Sequence, residues 1–166
     1  MGLFSRVEHV ERVDGEVWMG NERVERLKAL ATKVGQVAYA VHEYFGVGLL
    51  EMVYETALVH RLLLAGFKVE RQTPLTVHDS DGYCVGEFFA DIFVDDELIV
   101  ELKAVRTLAP EHLAQTLNYM KITDSPVALL VNFGSYKFER RTVVASSSST
   151  RSTCSTRLNL GVTNDT

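Results

Sequence analysis

Phe89-Ala90-Asp91-Ile92-Phe93-Val94 and, three residues on, Leu98-Ile99-Val100-Glu101-Leu102-Lys103 decide the reading of this chain. Both are short runs of β-forming residues, and the Asp95-Asp96-Glu97 between them is turn chemistry. Side chains alternate faces along a strand, so Glu101 and Lys103 share one face while Leu98, Val100 and Leu102 take the other. A three-residue loop over 95–97 pairs Val94 with Leu98, and the same register then sets Asp91 opposite Glu101. Directly opposed Cβ atoms lie about 4.5–5.5 Å apart. A two-residue turn would instead send Asp91 to the opposite face.

Two carboxylates at that spacing repel unless something neutralises them. A divalent cation does so, and oxygen ligands suit Mg²⁺ or Mn²⁺. A lysine beside such an ion orients a water or neutralises a developing oxyanion. This is the chemistry of metal-assisted phosphodiester hydrolysis. The same spacing also fits a structural Glu–Lys pair on an exposed sheet face, and spacing alone leaves both readings open.

N-terminal to these strands the period is helical. Val24, Leu27, Ala31, Val34, Ala38, Val41 and Phe45 step by three and four, which predicts a helix over residues 21–44, broken by Gly46 and Gly48. A second helix is expected over 49–65, ended by Gly66, with Leu50, Val53, Ala57, Leu58 and Leu62 on its apolar face. Glu51 shares a face with Tyr54 and Glu55, where it could bring a third carboxylate to the ion or its water. A solvated helix face explains Glu51 equally well.

From residue 68 the period is two. Candidate strands are 68–72, 75–78, 83–88 running straight on into 89–94, 98–103, 127–132 and 137–143. A third helix fits 110–122, with Pro110 in its first turn. Gln115 and Tyr119, four apart, project from one face of it and could hold phosphate oxygens, waters or a lysine; a plain polar helix face is the alternative. The order α-α-β-β-β-β-α-β-β predicts a mixed sheet flanked by helices, an α/β or α+β domain.

The chain has 166 residues, which suits one domain, and its 46% apolar content is enough for a sizeable core. A domain is expected over 22–144. It is preceded by a charged extension, 1–21, with Met19 as an alternative start, and followed by a Ser/Thr-rich tail, 145–166, too poor in apolar groups to order itself. The net charge of −5 carries no general signature of nucleic-acid binding, although a local basic or metal-filled cleft binds phosphate in an acidic protein. Cys84 and Cys154, the two cysteines, exclude a disulfide framework, a four-thiolate metal site and an iron–sulfur cluster. No apolar run approaches the ~20 residues of a membrane helix. The first 17 residues lack the apolar core of a secretory signal, so the expected compartment is the cytoplasm, with reduced thiols.

Together these pieces resemble a known family. Gly48-x-x-Glu51-x-x-Tyr54 resembles the defining motif of the GxxExxY proteins, a branch of the PD-(D/E)XK nuclease-like superfamily. Asp91 followed by Glu101-x-Lys103 resembles the acidic signature of that superfamily, with Ala90 where its name has Pro. Gln115-x-x-x-Tyr119 is similar to the additional motif of RecB-like exonucleases, and Val131-Asn132-Phe133-Gly134 also resembles the GxxExxY pattern. The resemblance spans roughly residues 22–144. It implies a restriction-endonuclease-like core and metal coordination by Asp91 and Glu101, with the Leu102 carbonyl as a further ligand. It also implies Lys103 as the catalytic lysine, Glu51 as the helix carboxylate, and Gln115 and Tyr119 as support for phosphate or lysine. The iron–sulfur cluster of some RecB-like nucleases does not transfer, for want of cysteines.

The remaining polar residues are expected to be structural. His42, His60, His78 and His112 fall on different elements without ligand spacing. Lys137, Arg140 and Arg141, with Lys103, Arg106 and Lys121, could line a phosphate groove, but alternation splits Arg140 from Arg141. A charged edge strand is the commoner reason for such a run. The expectation is therefore a small Mg²⁺- or Mn²⁺-dependent deoxyribonuclease using Asp91, Glu101, Lys103, Glu51, Gln115 and Tyr119. The rival is a catalytically silent nucleic-acid-binding or protein-interaction module on the same fold, and a second copy or partner protein could supply surface that so small a domain lacks.

Overall fold

The computed structural model describes residues 20–145. The expected N-terminal extension up to Met19 and the Ser/Thr-rich tail from residue 146, with Cys154, lie outside the described residues. Helix α1, Gly20–Phe45, buries Leu27, Ala31, Val34, Ala38 and Val41 of the predicted stripe completely, while Val24 is partly buried and Phe45, at the helix end, is exposed. It stops where Gly46, at φ 64°, returns its N–H to the His42 carbonyl. Helix α2, Glu51–Leu64, follows a turn through Gly48 at φ 106°, a backbone setting that suits a residue without a Cβ.

The sheet contains β1 (Val69–His78), β2 (Cys84–Val94), β3 (Leu98–Lys103), β4 (Val127–Asn132) and β5 (Glu139–Val144), in spatial order β1-β2-β3-β4-β5. Neighbours are antiparallel except β3 and β4, which run parallel and are joined by α3, Pro110–Thr123. The parallel pair is central, and all six β4 residues are buried, as a run of Val-Ala-Leu-Leu-Val between two helical layers requires. On one sheet face Val100, Leu102, Leu129 and Val131 meet α1 and α2. On the other, Ile99 and Ala128 meet Tyr119 and Met120 of α3. The mixed sheet flanked by helices is the expected α/β architecture.

Two expected strand segments, 68–72 and 75–78, form the single strand β1, so three strands precede α3. Pro74 does not interrupt them: it pairs with Phe89 in the ladder, and β1 is an edge strand, where a missing N–H can face away from the partner. The hairpin between β2 and β3 has the expected register, Val94↔Leu98, Phe93↔Ile99 and Ile92↔Val100. Asp95 and Asp96 close it at φ 52° and 59°, and Glu97 N–H returns to the Val94 carbonyl.

Besides a register shift between Val77 and His78, an irregularity interrupts β1 and β2 in mid-strand. Their register is constant from Val69↔Val94 to Val77↔Gly86, but Gln72 and Asp91 form no pair. Gln72 sits at φ 47°. Both strands exchange faces there. Val69, Ile92 and Val94 pack with α1 and α2, whereas Leu75 and Ala90, at the same parity, pack with α3.

Candidate active site

Asp91, Glu101 and Lys103 meet on the α3 side of the sheet. Glu101 is 1% exposed, and Lys103 Nζ donates to its Oε1 at 2.6 Å. Its other oxygen, Oε2, is buried without a hydrogen-bond partner. The ladder between β2 and β3 ends at Ile92↔Val100, one residue short of Asp91 and Glu101. Beyond it the Asp91 carboxylate takes over, accepting the Leu102 N–H at 2.8 Å on Oδ2. The Leu102 side chain is in the core of the opposite face, so only its main chain borders the site.

This setting disfavours ionised carboxylates. Burial, then the nearby Asp91 charge, pushes the Glu101 carboxyl up to about 7, against the pull of Lys103. Burial also raises Asp91, opposed by the Leu102 N–H and by Lys103. For Lys103 burial acts to lower the pKa, but the hydrogen bond to Glu101 and the surrounding carboxylates outweigh it, and the ammonium is held above its ordinary value.

Glu51 reaches this group from α2. Its Oε2 accepts the Ala104 N–H at 3.0 Å, and its Oε1 lies 3.9 Å from Lys103 Nζ. The tyrosine of the same motif explains how. Tyr54 is fully buried, donates its hydroxyl to the Gly46 carbonyl at 2.7 Å, and stacks on Phe133 with centroids 4.8 Å apart and planes 8° from parallel. It thus pins the α1–α2 turn to the end of β4 and fixes the first turn of α2, where Glu51 sits. On the far side, Asn132 Oδ1 accepts the N–H groups of Val105 and Gly134. A Cβ on Gly134 would stand 2.4 Å from the Ala104 carbonyl carbon, so glycine lets the chain after β4 pass against the chain after β3.

Gln115 and Tyr119 are together on α3, the Gln115 amide donating to the Tyr119 phenol oxygen at 2.7 Å. Tyr119 is 4% exposed, its pKa is raised chiefly by burial, and it feels the charges of Glu101, Asp91 and Lys103. An open cleft of about 360 Å³ lies over this pair, walled by Phe88 of β2 and by Glu111 and Asn118. His112 acts locally, its Nδ1 accepting the Ala109 N–H to cap α3. His42 is buried, its Nε2 bonded to the Ser135 carbonyl. Arg140 lies on the α1 side of the sheet, against the carbonyls of Ala31 and Thr32, and Arg141 pairs with Glu139. Arg140 is thus turned away from Asp91 and Glu101, whereas Arg141 lies two strands from Glu101 at the same level, through Leu130 of β4.

Residue patterns alone pass over one buried neighbour of the site. Glu55, 6% exposed on α2, accepts Arg71 Nε at 2.9 Å on one oxygen and Gln72 Nε2 at 3.1 Å on the other. The i+4 spacing from Glu51 points to that helix face, but nothing in Arg71-Gln72 announces two adjacent strand residues aimed at one acid.

The donor set can be tested against a divalent ion. Among the described residues no group of three or more His, Cys, Asp and Glu side chains stands together as a metal cluster. What remains is a pair of carboxylates bordered by main chain, with one Glu101 oxygen buried and unpartnered. Mg²⁺ commonly uses one or two carboxylates and keeps its waters, so this set fits it. A four-ligand zinc site it does not resemble.

No curated protein and no solved structure matches the chain. The family model for the PD-(D/E)XK nuclease superfamily matches residues 28–143, which takes in α2, the whole hairpin with Asp91 and Glu101, and α3. With Asp91, Glu101 and Lys103 gathered at the end of a mixed sheet and that model covering most of its length, the chain belongs to the PD-(D/E)XK nuclease superfamily.

Proposed function

We propose that this protein hydrolyses phosphodiester bonds of DNA with Mg²⁺ or Mn²⁺, and that it lies in the GxxExxY branch, close to the RecB-like exonucleases. The observation that carries the reading is Glu101: a carboxyl buried to 1% exposure, with one oxygen bound by Lys103 and the other unpartnered beside Asp91. A structural ion pair has no use for that second oxygen, whereas a cation ligand does.

Asp91 and Glu101, with the Leu102 carbonyl, would hold the ion, and Glu51 would reach its waters. A bound divalent ion supplies Lewis-acid polarisation of the phosphate and a water of lowered pKa. Lys103, fixed by Glu101 and faced by Glu51, places its ammonium where an attacking water is oriented and phosphate charge develops. Gln115 donates to the Tyr119 oxygen, which leaves the Tyr119 O–H to donate to a phosphate oxygen in the cleft. Leucine and valine side chains beneath the strand exclude water from the other face.

The test is cleavage of linear, circular and single-stranded DNA, with RNA alongside, in Mn²⁺ or Mg²⁺ and with EDTA as control. Metal-dependent cleavage by the wild type that is lost in Lys103→Ala supports the site, and the circular substrate separates cutting from an end from cutting internally. Equal cleavage by both proteins overturns the assignment of Lys103. No cleavage by either, with no Mn²⁺ bound, moves the protein to the silent-module reading.

A further inference from the structure

The gap between β1 and β2 lies opposite the candidate active site. We propose that Gln72, anchored by Glu55, is a positioning residue for Asp91: its left-handed backbone removes the one ladder pair that would tie down the Asp91 main chain, and so lets the Asp91 carboxylate turn to Leu102. The inference rests on the reading of Asp91 as a metal ligand and goes beyond it, to residues that touch no ion.

In a regular strand Arg71 and Gln72 would point to opposite faces. Here both reach the same carboxylate, Glu55, one on each oxygen. That is achieved by the positive φ of Gln72, in a region that side-chain-bearing residues other than Asn, Asp and His seldom visit. The pairs on either side, Arg71↔Ile92 and Thr73↔Ala90, keep their register, so the disturbance is confined to Gln72 and its opposite number Asp91. Ala90 and Ile92 consequently fall on different sheet faces, and Asp91 is the residue at which β2 turns over. Its Oδ2 then meets the Leu102 N–H just past the last pair of the β2–β3 ladder. Strain of this kind clusters at functional sites, where the surroundings hold it in place. The holder here is Glu55, buried on α2 one turn after Glu51.

The test uses four full-length proteins, the wild type and three variants. Gln72→Val replaces the residue with a β-branched one that resists positive φ. Gln72→Gly loses the anchor but takes the same backbone freely. Gln72→Ala, milder than valine, serves if Gln72→Val does not fold. The first readout is the ratio of amide exchange at Leu102 to that at Val100, which cancels changes in overall stability. The second is Mn²⁺ affinity by calorimetry. Wild type and Gln72→Gly are expected to agree. Gln72→Val, or Gln72→Ala in part, is expected to speed Leu102 relative to Val100 and to weaken Mn²⁺ binding by roughly tenfold or more, the usual effect of losing support behind a ligand. An unchanged exchange ratio in the valine and alanine variants overturns the proposal. A wild type that binds no Mn²⁺ overturns the nuclease reading instead, and the exchange ratio still decides the role of Gln72.

Discussion

Lys103 and Glu101, two residues apart on β3, share a face of the sheet and a 2.6 Å hydrogen bond, and both are largely withdrawn from water. A pair of that kind is costly to break from one side, because the survivor is left buried without its partner. Lys103→Met should therefore lower activity on the order of a hundredfold or more and also raise the Glu101 pKa further. Single-turnover cleavage measures the first effect; carboxyl-detected NMR of Glu101 measures the second.

Glu101 makes metal-free stability depend on pH. Its carboxyl moves from an ordinary 4.5 to about 7 on folding. Between those values the folded chain keeps a proton that the unfolded chain releases. The stabilisation is complete below 4.5 and is lost as pH rises to 7, by at most roughly 3 kcal/mol. Urea unfolding with chelator present, from pH 4.5 to 8, should show the decline, and Glu101→Gln should flatten it.

On the proposed reading a divalent ion would reverse that trend, because it would bind the ionised carboxylates that burial disfavours. Mn²⁺ affinity should rise with pH up to about 7, where Glu101 releases its proton. At neutral pH, saturating Mn²⁺ at about a hundred times its dissociation constant should stabilise the chain by about 2.7 kcal/mol. Melting scans of wild type and Glu101→Gln check this: the increment should vanish in the variant.

Tyr54 is separable into ring and hydroxyl. Tyr54→Phe keeps the stack on Phe133 and loses the bond to the Gly46 carbonyl, a loss of about 1 kcal/mol. Tyr54→Ala opens a cavity at the junction of α2 and β4 and should cost about 3–5 kcal/mol. Because Tyr54 sets the turn that carries Glu51, the alanine variant should also lose activity when assayed well below its melting temperature.

Gly134→Ala tests the close passage of the two strand ends. Its new Cβ would meet the Ala104 and Val105 main chain at 2.4–2.6 Å, with no flexible side-chain tip to move aside. A loss of about 1–3 kcal/mol is expected, with the Ala104 N–H freed from Glu51. Faster amide exchange at Ala104 would register it.

Much of this arrangement was legible in the residues because local rules governed it. The apolar stripe of α1 needed only helical spacing, and the β2–β3 register followed from the Asp95-Asp96-Glu97 loop, which put Asp91 and Glu101 at one level. Other parts depend on partners distant in the chain. The segments 68–72 and 75–78 join into one strand through Pro74, which an edge strand tolerates. Arg140 reads as a candidate phosphate contact until α1 is known to lie across it at Gly35. Gln72 has no local signal at all, since its left-handed backbone is held by Glu55, which belongs to another element.

The single crossover through α3 splits the sheet into a meander, β1-β2-β3, and a returning pair, β4-β5. Asp91, Glu101 and Lys103 all belong to the meander, whereas Glu51 spans 53 residues to reach Ala104, and Asn132 and Phe133 come from the returning pair. The acidic hairpin can thus form early, from contacts close in sequence, while its surroundings close only when distant segments dock. In a growing chain Glu51 and Tyr54 precede the hairpin, whereas Asn132 and Phe133 are added only after it. The frame around Asp91, Glu101 and Lys103 is in this sense a property of the whole tertiary structure and not of the hairpin alone.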